Sequence, residues 1–202
     1  MTDLPYEGRI LWHELMTTDV ERSKEFCETL FGWTSTSRET DAGFTYTILS
    51  NGNTQFGGVY PVDPGAGIPS NWITYFTTTD VDAFCAQASE MGAVVEMAPN
   101  DVPGTGRFAV LADAQGAHFS VITEVERTPA ELPQAGAEPG SPVWVELMTS
   151  DPAAASAFYA RMFGWGTKVM DIGTGPTPCS TMQGSLWPVS VRSRTTCRLP
   201  PG

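Results

Sequence analysis

The 202-residue chain carries 23 acidic against 11 basic side chains, a formal charge of −12, and this surplus argues against nucleic acid or anionic membrane as partners because both would repel it. No run of about 18 apolar residues is present, and no basic stretch followed by an apolar one opens the chain, so a soluble, cytoplasmic protein is expected. The four cysteines (Cys27, Cys85, Cys179, Cys197) have no C-x-x-C spacing and read as small apolar residues, not as a metal or redox set.

Residues 10–17 alternate and predict a strand, with Trp12, Glu14 and Met16 on one face and His13, Leu15 and Thr17 on the other. Thr18 and Glu21 form a T-x-x-E capping box that opens a helix. Its expected buried stripe is Phe26, Cys27, Leu30 and Phe31, and Gly32 ends it. Short strands are expected at 33–38, 44–49 and 54–60, with Asn51-Gly52 marking a tight hairpin. Residues 8–60 are therefore one β-α-β-β-β unit. A Pro- and Gly-rich linker covers 61–70.

The order repeats over 71–125: a strand at 72–77, a helix at 81–91, then strands at 94–97, 106–112 and 117–123. Gly104 and Gly106 lie between strands with no helix after them, so they predict a turn and not a phosphate loop. Residues 1–127 are expected to form one complete two-unit domain, and 128–142, rich in Pro, Ala and Gly, a linker.

The first unit then returns. Trp12, Glu14, Leu15, Met16, Thr17, Asp19, Phe26, Phe31, Gly32 and Trp33 have identical counterparts at Trp144, Glu146, Leu147, Met148, Thr149, Asp151, Phe158, Phe163, Gly164 and Trp165, with no gap. A match of this density is an internal repeat. Residues 143–182 read as an incomplete third unit. The segment 183–202 reads as an irregular tail, foreign, out of frame or disordered, because its last part has three arginines, no acid and no alternation.

One β-α-β-β-β unit leaves a sheet face bare. Two side by side curl into a trough with helices on the outer face, an α+β fold with a curved mixed sheet. Tandem units with a strand ending in Thr-x-Asp, a helix carrying Phe-Tyr or Phe-Cys, and a closing Phe-Gly-Trp resemble the vicinal-oxygen-chelate superfamily of glyoxalases, bleomycin resistance proteins and extradiol dioxygenases. The resemblance implies a small-molecule site in the trough. Its metal-using members imply ligands seven residues before the acid that opens each helix and seven after the turn Asp113. Those positions hold Trp12, Ile73 and Ser120, which cannot ligate a divalent ion.

The trough face is expected to carry Trp12, Glu14 and Met16, then Ile73, Tyr75 and Thr77, then His118, Ser120 and Ile122. Only two histidines exist: His13 is expected to point away from the trough, and His118 into it. Glu14 reads either as a functional carboxyl or as a group pairing with a neighbour to join the units, and His118 either as a general acid or base or as a rim residue. The expectation is a glyoxalase- or bleomycin-resistance-like protein that binds a small molecule without cofactor or metal, possible homodimer formation included. The alternatives are a divalent-metal-dependent lyase or dioxygenase, and a metal-free acid–base enzyme using Glu14 and His118.

Overall fold

The computed structural model describes residues 6–40, 43–124, 138–171, 176–181 and 188–193. β1 (Ile10–Thr17) is the strand on which the first domain turns. It pairs in parallel with β4 (Thr54–Pro61) and antiparallel with β5 (Asn71–Thr77), joining the two units into one sheet. With β2 (Thr34–Glu39), β3 (Thr45–Asn51), β6 (Val94–Val102), β7 (Gly106–Ala112) and β8 (His118–Glu124), the eight-stranded order is β2-β3-β4-β1-β5-β8-β7-β6. The α+β class and mixed sheet are as expected. The expected 61–70 linker contains a short 3-10 turn, Pro64–Ala66, capped by Asp63.

Three helices begin with the same device. Asp19 accepts from the Arg22 N–H at 3.1 Å to start α1 (Val20–Phe31), Asp80 from the Ala83 N–H at 2.9 Å to start α2 (Val81–Glu90), and Asp151 from the Ala153 and Ala154 N–H groups to start α3 (Pro152–Phe163). This corrects the predicted capping box. The cap is Asp19, one residue later than Thr18, and the Glu21 carboxylate reaches Lys24 at 3.1 Å instead of turning back to the helix start.

Two further expectations are revised. β6 runs to Val102, well past Met97, because two register shifts let pairing with β7 continue beyond Pro99. In α1 only Cys27 is buried, while Phe26, Leu30 and Phe31 are 61%, 59% and 42% exposed. Their counterparts on α3, Phe158, Met162 and Phe163, are buried. The reason is the neighbour: α3 lies on α2 and the outer face of β5, β7 and β8, in one cluster with Phe76, Phe84, Ala109 and Phe119. α1 covers a smaller cluster of Cys27, Trp33, Leu49, Phe56 and Val59 with its inner side alone.

The third unit forms its own four-stranded sheet, β10-β11-β12-β9, from β9 (Val145–Thr149), β10 (Gly166–Asp171), β11 (Pro176–Thr181) and β12 (Pro188–Ser193). β12 falls in the stretch read as an irregular tail, yet it pairs in parallel with β9 as β4 does with β1. Of the linker expected at 128–142, only residues from 138 on are described, and the rest of the tail lies outside the described residues. The two halves grip each other through their closing tryptophans: Trp33 donates to the Gly140 carbonyl and Trp165 to the Gly8 carbonyl.

Candidate functional site

The β1 register decides which residues share the sheet face expected to form the trough. Trp12 stands opposite Tyr75 and Glu14 opposite Ile73, while Tyr75 neighbours Ser120 on β8. One irregularity matters: the pairing shifts between Ile10 and Trp12. This bulge sends Ile10 into the helix-side core and leaves Leu11 with Trp12, Tyr75, Phe108 and Ile122 on the trough side. Strict alternation from Trp12 back to Ile10 therefore fails at one residue. Leu15 packs under α1, on the face opposite Glu14.

On the face that carries Glu14, Trp12, Tyr46 and Glu14 form a chain of hydrogen bonds. The Trp12 indole N–H donates to the Tyr46 hydroxyl at 3.0 Å, and that hydroxyl donates to Glu14 Oε2 at 2.9 Å. An indole nitrogen only donates, so the direction of the first bond is set, and the Tyr46 O–H is left to give to Glu14. Glu14 is 5% exposed, and its Oε1 is buried with no hydrogen-bond partner. Burial pushes the Glu14 carboxyl up to about 8, against a smaller opposing pull from the Tyr46 hydrogen bond. The same desolvation raises the Tyr46 and Tyr75 phenols, with Glu14 adding to both.

Tyr46 is the residue that sequence reasoning missed. It reaches over β4 because position 58 is glycine: a Cβ at Gly58 would lie 2.0 Å from the Tyr46 hydroxyl oxygen and 3.1 Å from Glu14 Oε1. Paired glycines inside a strand signal close approach of another group. Gly57-Gly58 in TQFGGVYP carried that signal.

The predicted residues fall into two groups. Trp12, Glu14, Tyr75, Ile73 and Ser120 come together, with Met16 further along β1 opposite Asn71. Ser120 is fully buried, its hydroxyl donating to the Ala109 carbonyl at 2.9 Å and lying beside the Tyr75 phenol. His118 opens β8 and is exposed; it shares no hydrogen bond with Glu14, which has Tyr46 as its hydrogen-bond partner. The strands carrying the two are separated by β5, so they stand about 10 Å apart at two strand spacings. His13 is 8% exposed, and burial lowers its imidazole to about 4.

The metal that vicinal-oxygen-chelate enzymes use does not fit this set. Among the described residues no three His, Cys, Asp or Glu side chains converge. Among the described residues Glu14 brings a carboxyl to this face beside Trp12, Ile73 and a Ser120 committed to a backbone carbonyl, none of which suits a divalent ion.

A separate open groove of about 580 Å³ lies at the start of α2, lined by Asp82, Asp101, Pro103, Arg107 and Glu124 among others. Arg107 is held there by Asp82 at 2.7 Å and Asp101 at 2.9 Å. It is distant in topology from Glu14, at the β6–β7 end of the sheet.

A family model, the Glyoxalase/Bleomycin resistance protein/Dioxygenase superfamily, matches residues 9–121, the whole of the eight-stranded sheet but for its last residues. The chain belongs to that superfamily. Among its relatives, "Putative glyoxylase CFP32" of Mycobacterium bovis is 41% identical over 115 residues, covering 57% of this chain and 44% of that protein. "Anthracycline biosynthesis protein DauV" of a Streptomyces species is 36% identical over 170 residues, covering 78% of this chain and 61% of that protein. The chain thus spans about half the length of the relatives it matches. Among solved structures, the Mn(II)-bound glyoxalase from Novosphingobium aromaticivorans superposes with a TM-score of 0.66 at 14% identity, over 94% of this chain and 63% of that one. That likeness concerns the fold alone. No helix among the described residues is long and apolar enough to cross a membrane.

Proposed function

We propose that this superfamily member binds a small, planar organic molecule in the trough between Trp12, Tyr46, Tyr75 and Phe108, without a metal ion. The observation that carries the reading is Glu14: a carboxyl 5% exposed, one oxygen unpartnered, ringed by aromatic side chains that are themselves only partly buried. Partly exposed aromatic walls around a few convergent polar groups are the usual makeup of a small-molecule site. An unsatisfied buried oxygen costs about 1–3 kcal/mol, which a ligand group would relieve. Similarity to a protein named for anthracycline biosynthesis supports an organic ligand.

The donor set favours this over a metal-dependent lyase or dioxygenase, since Trp12, Ile73 and Ser120 bring no imidazole or carboxylate to an ion. It also favours binding over acid–base turnover by a Glu14–His118 pair, because the two side chains share no hydrogen bond. The test is a titration of dialysed protein with planar aromatic compounds, followed by tryptophan fluorescence, beside metal analysis of the same sample. Saturable quenching lost in Trp12→Ala is expected. A stoichiometric divalent ion that survives dialysis, or no binding of any planar compound, defeats the reading.

A further inference from the structure

Glu14 is held from one side only. Trp12 donates to Tyr46 and Tyr46 donates to Oε2, so Oε2 is committed as an acceptor. Oε1 remains, buried and unmatched, beside the Tyr46 hydroxyl that fills the space above Gly58. Two states are conceivable. A carboxylate would leave a negative oxygen buried with no donor, at high cost; a carboxylic acid would leave an O–H with no acceptor.

The surroundings choose the acid. Tyr46 from β3 and Tyr75 from β5 face Glu14 with neutral phenols, and Tyr60 from β4 lies near Tyr75. The Arg38 guanidinium sits 6.0 Å from the centre of the Tyr46 ring, engaged with the ring face, and no ion pair joins it to Glu14. On β1 itself His13 is buried and its imidazole lowered to about 4, so it is neutral above that pH. His118 on β8 is exposed. With no cation paired to it among the described residues, burial holds the Glu14 proton up to about pH 8.

Resting on the trough reading above, we infer that Glu14 is a neutral hydrogen-bond donor, presenting Oε1–H to the carbonyl oxygen of a planar aromatic ketone or quinone. The ring system lies against the partly exposed Trp12, Tyr75 and Phe108, of which the last two have centroids 6.0 Å apart. Anionic ligands are disfavoured twice, by the uncharged walls and by a chain of net charge −12. A ligand O–H or N–H does not match a site whose free group is itself a donor.

The experiment compares 9-fluorenone with fluorene, the same ring system without the carbonyl, by calorimetry or tryptophan fluorescence from pH 6 to 9.5. At pH 6 fluorenone is expected to bind about tenfold tighter than fluorene, the worth of one buried hydrogen bond. Above about pH 8 its affinity falls toward that of fluorene, a loss of about tenfold in all, as Glu14 ionises, while that of fluorene stays level. Glu14→Gln keeps an N–H donor and is expected to bind fluorenone without the alkaline loss. Equal binding of the two compounds, or fluorenone binding that strengthens above pH 8, overturns the donor role and leaves the trough reading standing. If neither compound binds, the trough reading falls and the donor role with it. The pH profile of the unaltered protein decides the matter even if the variant folds poorly.

Discussion

Trp165 and Gly8, 157 residues apart, are joined by a hydrogen bond of 3.2 Å from indole nitrogen to carbonyl. The bond has a counterpart: Trp33 donates to the Gly140 carbonyl at 2.9 Å. Gly8 and Gly140 occupy the same place in their repeats, as do Trp33 and Trp165. Each half therefore closes its helix with a tryptophan that reaches into the turn before the first strand of the other. The exchange is reciprocal between the first unit and the third.

Breaking that clasp should be felt globally. Trp165→Phe leaves the Gly8 carbonyl buried without its donor and is expected to cost about 1–3 kcal/mol in urea denaturation. Gly8→Ala is expected to cost more, about 2–4 kcal/mol. Its φ of +74° disfavours any side chain, and the new Cβ would stand 2.5 Å from the Trp165 indole nitrogen. A Gly8→Ala protein as stable as its parent would disprove the clasp.

Twin positions on α1 and α3 give a matched comparison. Phe158→Ala removes a ring 5% exposed in the aromatic cluster and should cost about 3–5 kcal/mol. Phe26→Ala, at the same place in the repeat but 61% exposed, should stay within about 1 kcal/mol. The exposed Phe26, Leu30 and Phe31 also form an apolar patch, with the Phe26 and Phe31 rings edge to face at 6.5 Å. Sedimentation should show weaker self-association for Phe26→Gln with Leu30→Gln than for the parent chain; unchanged association would rule this face out as the contact.

Gly58→Ala tests the support of Glu14. A methyl group 2.0 Å from the Tyr46 oxygen must push that ring away, which breaks the bond to Glu14. A stability loss of about 1–3 kcal/mol is expected, together with loss of ligand-dependent fluorescence change. Tyr46→Phe should weaken binding in the same direction without the steric strain. Normal binding in both variants would show that Tyr46 does not position the carboxyl.

Stability should vary with pH through two buried groups of opposite sign. Glu14 is raised from 4.5 to about 8, so its contribution is whole below pH 4.5 and is lost as pH climbs toward 8. His13 is lowered from 6.5 to about 4, so its contribution is whole above pH 6.5 and is lost as pH falls toward 4. Between 4.5 and 6.5 the two oppose each other. From 6.5 to 8 Glu14 acts alone, with a slope of at most about 1.4 kcal/mol per pH unit. Urea melts at pH 5, 6.5 and 8 should show the parent weakening between the last two, and Glu14→Gln not. His13→Val, the residue found at Val145, should reduce the loss on the acid side.

Much of this was written locally. Asp19, Asp80 and Asp151 each precede a helix, and Gly32 and Gly164 each end one with φ near +70°, so the strand–helix order could be read from the chain. That Trp12, Glu14 and Met16 share one face of β1 was also legible, because they keep a period of two where pairing with β5 is regular. The bulge at Leu11 was not, since a single apolar residue fits either face.

What the amino-acid order determined by itself was the return of the 12–33 pattern at 144–165, its elements, and the residue types that stand along β1. Those follow from spacing and residue type, which are properties of short windows. Only the folded molecule decided that Tyr46 crosses Gly58 to reach Glu14, and that the same helical stripe is buried in α3 and bare in α1. Both depend on which distant surface arrives at a face, and burial is a property of the pair in contact, never of one strand or helix alone.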